Sequence, residues 1–157
     1  MSQLVEYRDA RSQEESARLR RLLALRALSA TGSSQREIAT DLGVSQSAVS
    51  QQLRAGRDLT SVLPEILLKA ASPILVNAAR SRGFDRLAMF ASVARGQARG
   101  DSDIDLLVEA PPGSAIKELL GPRGTFREVL GRPVDLATHG GLKPVIDDDI
   151  RAEAVLL

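Results

Sequence analysis

Residues 102–109 read Ser-Asp-Ile-Asp-Leu-Leu-Val-Glu, and no other stretch limits the fold so tightly. Ile104 to Glu109 is a near-continuous apolar run, the pattern of a strand buried within a sheet. Side chains alternate faces along a strand, so Asp103 and Asp105 point the same way. Two carboxylates side by side are costly unless a cation lies between them. Oxygen-only ligands at this spacing suit Mg²⁺, with phosphates and waters completing its octahedron. Ser92 precedes the pair by ten intervening residues and falls at a strand-to-helix turn. Its hydroxyl and the N–H groups after it can cradle a triphosphate beside a helix N-terminus. Arg95 and Arg99 add positive charge there. Asp135, in the next apolar strand, completes the set as a ligand or as the base for an attacking hydroxyl.

The elements around this motif follow from periodicity. Strands are expected at Asp85–Phe90, Ile104–Glu109 and Val134–Thr138. A short helix should open at Ser92, and another should lie within Ser114–Leu130, loosened at Gly121-Pro122. A last helix should run from Val145 to Leu157. Ahead of Gly83 the chain is helical throughout. Residues 12–30 repeat leucines at Leu19, Leu22, Leu23 and Leu28 among arginines, and residues 1–13 are polar, frayed or the start of that helix. The arginines read as a solvated face, with a phosphate contact or dimer seam as alternatives. Thr60–Ser81 reads as a connector helix with Leu63, Ile66, Leu67, Ala70 and Ile74 on one side. Pro64 suits its first turn, and Pro73 is expected to kink or divide it. The expected class is α+β: an all-α bundle at residues 1–59, the connector at 60–82, and a small α/β domain with a mixed sheet at 83–157.

The segment Gln35–Arg54 is 20 residues long, with Ala39 fifth, Gly43 ninth and Val49 fifteenth. Two helices that cross closely need a small residue at the contact, which Ala39 supplies. The sharp turn between them needs a left-handed backbone, which Gly43 tolerates. Ile38, Leu42, Val44, Val49 and Leu53 form the expected shared apolar face. The segment resembles the helix-turn-helix of bacterial repressors, with Gln46–Arg54 as recognition helix. That helix would offer Gln46, Ser47, Ser50, Gln51 and Arg54 to the major groove. Gln pairs with adenine, Arg with guanine, and Ser is tolerant. Ser45 caps the helix beside the DNA, and Thr31, Ser33, Ser34 and Arg36 are placed to meet phosphates. A plain three-helix interaction bundle would also use such a glycine turn and alanine crossing.

The back half, about residues 75–157, resembles the nucleotidyltransferase superfamily of DNA polymerase beta, in particular the minimal nucleotidyltransferases of bacterial toxin–antitoxin pairs. The resemblance rests on Ala94-Arg95-Gly96, on Ser102–Val108 and on Gly131–Leu136, three separated elements in order and spacing. It implies that Asp103, Asp105 and Asp135 are catalytic and metal-binding, and that Ala91, Ser92, Arg95 and Gly96 meet the nucleotide. It also implies Mg²⁺ as cofactor, a nucleoside triphosphate as substrate, and an acceptor hydroxyl on a partner toxin, with AMP the group most expected to be transferred. The family places Gly directly before the Ser, and here the residue is Ala91. If φ must be positive at that point, alanine costs on the order of 1 kcal/mol or more. Either a weakened catalyst or a reshaped pocket would follow.

Composition narrows the remaining classes. No cysteine is present, so disulfides and thiolate metal sites are excluded. One histidine, His139, argues against His-based metal clusters and reads as a turn residue. Aromatics are 3%, too few for stacking platforms on single strands. No apolar stretch is long enough to span a membrane and no secretory signal opens the chain, so a cytoplasmic location is expected. Net charge is +1 overall, but residues 1–80 hold 11 basic and 8 acidic side chains against 10 and 12 in residues 81–157. A basic front and acidic back fit operator DNA in front. Asp147-Asp148-Asp149 suits the positive end of the last helix. The expected function is an antitoxin-like protein that represses its operon and transfers a nucleotide. The alternative is a DNA-binding regulator whose transferase-like domain is inactive. A homodimer would match paired half-sites on an operator.

Overall fold

The computed structural model describes residues 2–56, 58–141 and 147–157. It is α+β, with helices leading into a four-stranded mixed sheet. Helix α1 spans Gln3–Ala30, α2 Gln35–Leu42, α3 Gln46–Ala55 and α4 Pro64–Arg80. Strand β1 (Asp85–Met89) is followed by the one-turn helix α5 (Ala91–Ala94) and then β2 (Ile104–Glu109). A 3₁₀ turn at Ile116–Leu119 runs into α6 (Leu120–Leu130), then β3 (Val134–Thr138), α7 (Asp148–Glu153) and β4 (Val155–Leu156). Strand order is β3-β2-β1-β4; β2 and β3 are parallel, and β1 is antiparallel to both β2 and β4.

Alternation along the strands sorts the sheet into two faces. Leu87, Ile104, Leu106, Val108 and Val134 join the main core with Leu67, Leu68, Ala71, Leu75 and Ala79 of α4 and Phe126, Val129 and Leu130 of α6. Ala88 and Leu107 face the other way, under Phe90, Ile150 and Ala154. Leu23 of α1 and Leu59 belong to the main core, while Leu25, two residues along α1, packs with Ile38, Ala39, Val49 and Leu53. One helix thus contributes to both cores.

The structure corrects several expectations. Of the two readings of the polar opening, the start of the helix is the one the structure bears out: α1 begins at Gln3, capped by Ser2. Its residues 3–16 are exposed and held by local pairs such as Arg11–Glu15 and Glu14–Arg18. Leu28 is exposed, and so are Leu42 and Val44, which therefore do not join the helix-turn-helix core. In α4 the buried stripe is Leu67, Leu68, Ala71, Leu75 and Ala79, rotated from the expected one, so that Leu63 and Ile66 are exposed. The helix starts only at Pro64, as N1 proline geometry favours, and runs through Pro73 unbroken. Packing on the sheet outweighs the backbone bond that Pro73 forgoes. Gly121 and Pro122 fall in the first turn of α6, where proline lacks no needed donor, so the helix is not loosened there. The last helix ends at Glu153, because Ala154 is extended and Val155–Leu156 pair with the open edge of β1. Val145 and Ile146, expected to begin that helix, lie outside the described residues.

Candidate active site and nucleic-acid interface

Parallel pairing sets Asp105 of β2 directly opposite Asp135 of β3. Adjacent strands lie about 4.8 Å apart, so the two carboxylates share one face at close quarters. That face is the one away from the α4–α6 core. Asp103 stands one residue before β2, and Ile104 N–H donates to Pro133 O at 3.1 Å, which begins the ladder beside it. Asp105 is half-buried, whereas Asp103 and Asp135 are exposed. Burial raises the Asp105 pKa above the usual carboxylate value, and the negative charges of Asp135 and then Asp103 push it the same way. The three side chains are not drawn to a common point: among the described residues no group of three His, Cys, Asp or Glu is arranged to hold a metal.

The α5 turn is brought to the same place by the backbone, since Phe90 N–H donates to Asp105 O at 3.0 Å. Ala91 follows in a left-handed conformation, φ +58°. A Cβ is strained there, and this is the position at which sequence analysis flagged alanine for glycine. Ser92 is half-buried, and its carbonyl accepts from Gln97 N–H at 2.9 Å, closing the loop. Gly96 carries φ +67°. Arg95 is tied across to α7, with Nη1 2.9 Å from Glu153 Oε2. Arg99 N–H donates to Ser102 Oγ at 2.8 Å, which braces the turn ahead of Asp103. His139 sits at the opposite end of the sheet, its Nε2 3.1 Å from Arg86 O, and has no part in the acid cluster.

In the front half, Ser34 caps α2 and forms a reciprocal capping box with Glu37. Gly43 takes φ +67° between the helices. Ser45 caps α3 by accepting from Ala48 N–H at 3.1 Å. Ser34, Arg36, Ser45, Gln46, Ser47, Gln51 and Arg54 are exposed and Ser50 is half-buried, while Val49 faces inward with no exposure. Thr31 instead turns back to Ala27 O, 2.9 Å away.

Sequence reasoning missed Arg132, which is 4% exposed and has no carboxylate partner among the described residues. The available signal was a cation wedged between Gly131 and Pro133 at the mouth of a buried strand. It missed Arg26 as a tie as well: Arg26 Nε donates to Glu128 O at 2.8 Å, and Nη1 lies 3.4 Å from Gly56 O.

A mixed sheet with paired acids on β2 and β3, a tight turn after β1 and a helix-turn-helix in front define a nucleotidyltransferase joined to a DNA-binding module. Residues 75–157 match the family described as "Nucleotidyltransferase domain", and the chain belongs to that family. Residues 19–58 match the family described as "Bacterial regulatory protein, arsR family". A relative from Methanocaldococcus jannaschii, described as a "putative protein adenylyltransferase", is 37% identical over 83 residues, covering 53% of this chain and 85% of the relative. A solved structure described as a "putative minimal nucleotidyltransferase" superposes with a TM-score of 0.56 at 32% identity, over 62% of this chain and 99% of that one.

Proposed function

We propose that the back half transfers a nucleotide, AMP foremost, from a nucleoside triphosphate to a hydroxyl of a partner toxin, and that the front half represses the chain's own operon. The observation that carries the first part is the register of Asp105 against Asp135, with the α5 turn bonded to the Asp105 carbonyl. The name of the archaeal relative supports protein as the acceptor class.

The donor set suits Mg²⁺. It consists of oxygens alone, and Asp105 bears an uncompensated like-charge burden from its neighbours. Mg²⁺ is commonly bound by one or two carboxylates plus substrate phosphates and waters, so three preassembled ligands are not required. Asp103, Asp105 and Asp135 would hold it, and it would supply charge neutralisation at the transferring phosphorus. Ser92 and the turn through Gly96 hold the phosphates. That turn holds Ala91 in a left-handed backbone at a steric cost, with no ligand removed. Asp135 orients the acceptor hydroxyl and takes its proton. The hydroxyl oxygen bonds to the α-phosphorus, and the bond to the β-phosphate breaks to release pyrophosphate. Holding the reactants in line accounts for most of the acceleration.

Arg95, paired with Glu153, adds positive charge beside the phosphates. On DNA, Gln46, Ser47, Ser50, Gln51 and Arg54 read bases, while Ser34, Arg36 and Ser45 meet phosphates. A homodimer places two such helices about 34 Å apart. The test uses ATP labelled at its α-phosphate, Mg²⁺ and a lysate of the source organism. The expected result is label on a protein, lost with Asp103→Asn/Asp105→Asn. Failure to label any protein from any of the common nucleoside triphosphates overturns the transfer reading. Binding of the upstream DNA whose affinity falls steeply with salt supports repression, and a flat salt dependence removes it.

A further inference from the structure

One buried side chain ties the turn ahead of Asp103 to the link between α3 and α4. Arg132 lies on the short Gly131-Arg132-Pro133 link that leads into β3, three residues ahead of Asp135. Its Nη1 donates to Gly100 O at 2.6 Å. Its Nη2 donates to Leu59 O at 2.9 Å, Thr60 O at 3.1 Å and Val62 O. Gly100 belongs to the turn that delivers Asp103. Leu59, Thr60 and Val62 belong to the link between α3 and α4. The two segments also touch directly, since a Cβ on Gly100 would stand 3.3 Å from Thr60 O.

A buried guanidinium answered only by carbonyls is expensive to maintain. Its Nε is buried without a partner, and so is Glu65 Oε1, in the first turn of α4. An apolar residue of similar volume would fill the space but leave the carbonyls of Gly100, Leu59, Thr60 and Val62 without this donor. What an apolar residue could not do is clamp the Gly100 turn at a set distance from the β3 entrance. That distance helps to set Asp103, just beyond the turn, relative to Asp135, on the strand.

We propose that Arg132 is a positioning residue for the carboxylate site, setting Asp103 against Asp135 through the Gly100 carbonyl and anchoring that geometry to the link behind the recognition helix. The inference rests on the proposed nucleotide site. Arg132 touches neither nucleotide nor acceptor and acts through the turn. A lysine carries no planar fork and cannot span Gly100 and the link together.

The experiment uses the full chain with Arg132→Met, Arg132→Lys, Gly100→Ala and a core control, Val129→Ala. Calorimetry measures the Mg²⁺ concentration giving half-maximal ATP binding, and amide hydrogen exchange follows residues 99–104 in metal-free protein. Replacing groups that orient metal ligands commonly costs 10–100-fold in metal affinity. Arg132→Met and Arg132→Lys should therefore raise the half-saturating Mg²⁺ about tenfold or more and speed exchange across 99–104. Gly100→Ala should shift both in the same direction by less, and it stands in if Arg132→Met does not fold. Val129→Ala should lower the melting temperature and move neither. Arg132 or Gly100 variants that lose stability with Mg²⁺ dependence and 99–104 exchange unchanged would overturn the proposal. If the wild type binds no ATP at all, the nucleotide site itself fails. The exchange readout then still decides whether Arg132 holds the turn.

Discussion

At Ala91 a single methyl group opposes the local backbone. With φ at +58°, the left-handed region costs an L-residue about 1–2 kcal/mol, which glycine avoids at some entropic cost of its own. Ala91→Gly is expected to raise unfolding free energy by about 1 kcal/mol in urea melts and to tighten ATP binding. A destabilised variant would show that the surroundings prefer the methyl. Asp105 makes the second residue-scale prediction. Its folded pKa is raised, so its contribution to stability is present below the unfolded value, about 4, and is lost as pH rises through the folded one. Without Mg²⁺, Asp105→Asn should therefore melt higher than wild type at neutral pH, and the difference should close below about pH 4. The gain will be small, because solvent screens a half-exposed group. Equal melting at neutral pH would mean that neither burial nor the neighbouring carboxylates disfavour the charged form of Asp105.

Among the elements, the helix-turn-helix was the most legible. Ala39, Gly43 and Val49 each demand a particular contact or turn, and the structure meets them with two buried side chains and a left-handed glycine. The strands Ile104–Glu109 and Val134–Thr138 were legible for a similar reason: a short apolar run bounded by turn residues has few other uses. What stayed hidden depends on partners distant in sequence. Val155 and Leu156 have the composition of a helix end, and only the open edge of β1 makes them a strand. The α4 stripe was misplaced because residues 63–79 are apolar on more than one side, so periodicity alone could not choose the face that meets the sheet. The acid pair was legible at Asp103 and Asp105, but its opposition to Asp135 is a matter of strand register. Two predictions belong here. Ser34→Ala removes the α2 cap and should cost about 1 kcal/mol of stability. Arg36→Ala should lower the salt slope of DNA binding by about one while leaving sequence preference intact; an unchanged slope would take Arg36 off the phosphates.

Across the whole molecule, α1 ties the halves together. Leu23 is fully buried in the core that holds the sheet, and Leu25 in the core that holds the recognition helix. Arg26 adds hydrogen bonds to α6 and to the end of α3. Leu23→Ala should cost about 3 kcal/mol and shift one common transition in far-UV circular dichroism. Two separated transitions would mean that the halves unfold independently. No helix among the described residues is long and apolar enough to cross a membrane. The fold thus places the helix-turn-helix and a carboxylate site on one connected frame, with Arg132 and Arg26 as its polar ties.

The most direct test of that site is calorimetric titration of the full chain with ATP in the presence and absence of Mg²⁺, beside Asp103→Asn/Asp105→Asn. Mg²⁺-dependent binding by the wild type that the double variant loses is the predicted result. Binding that survives the loss of both carboxylates, or no binding by the wild type with any nucleoside triphosphate, would contradict it.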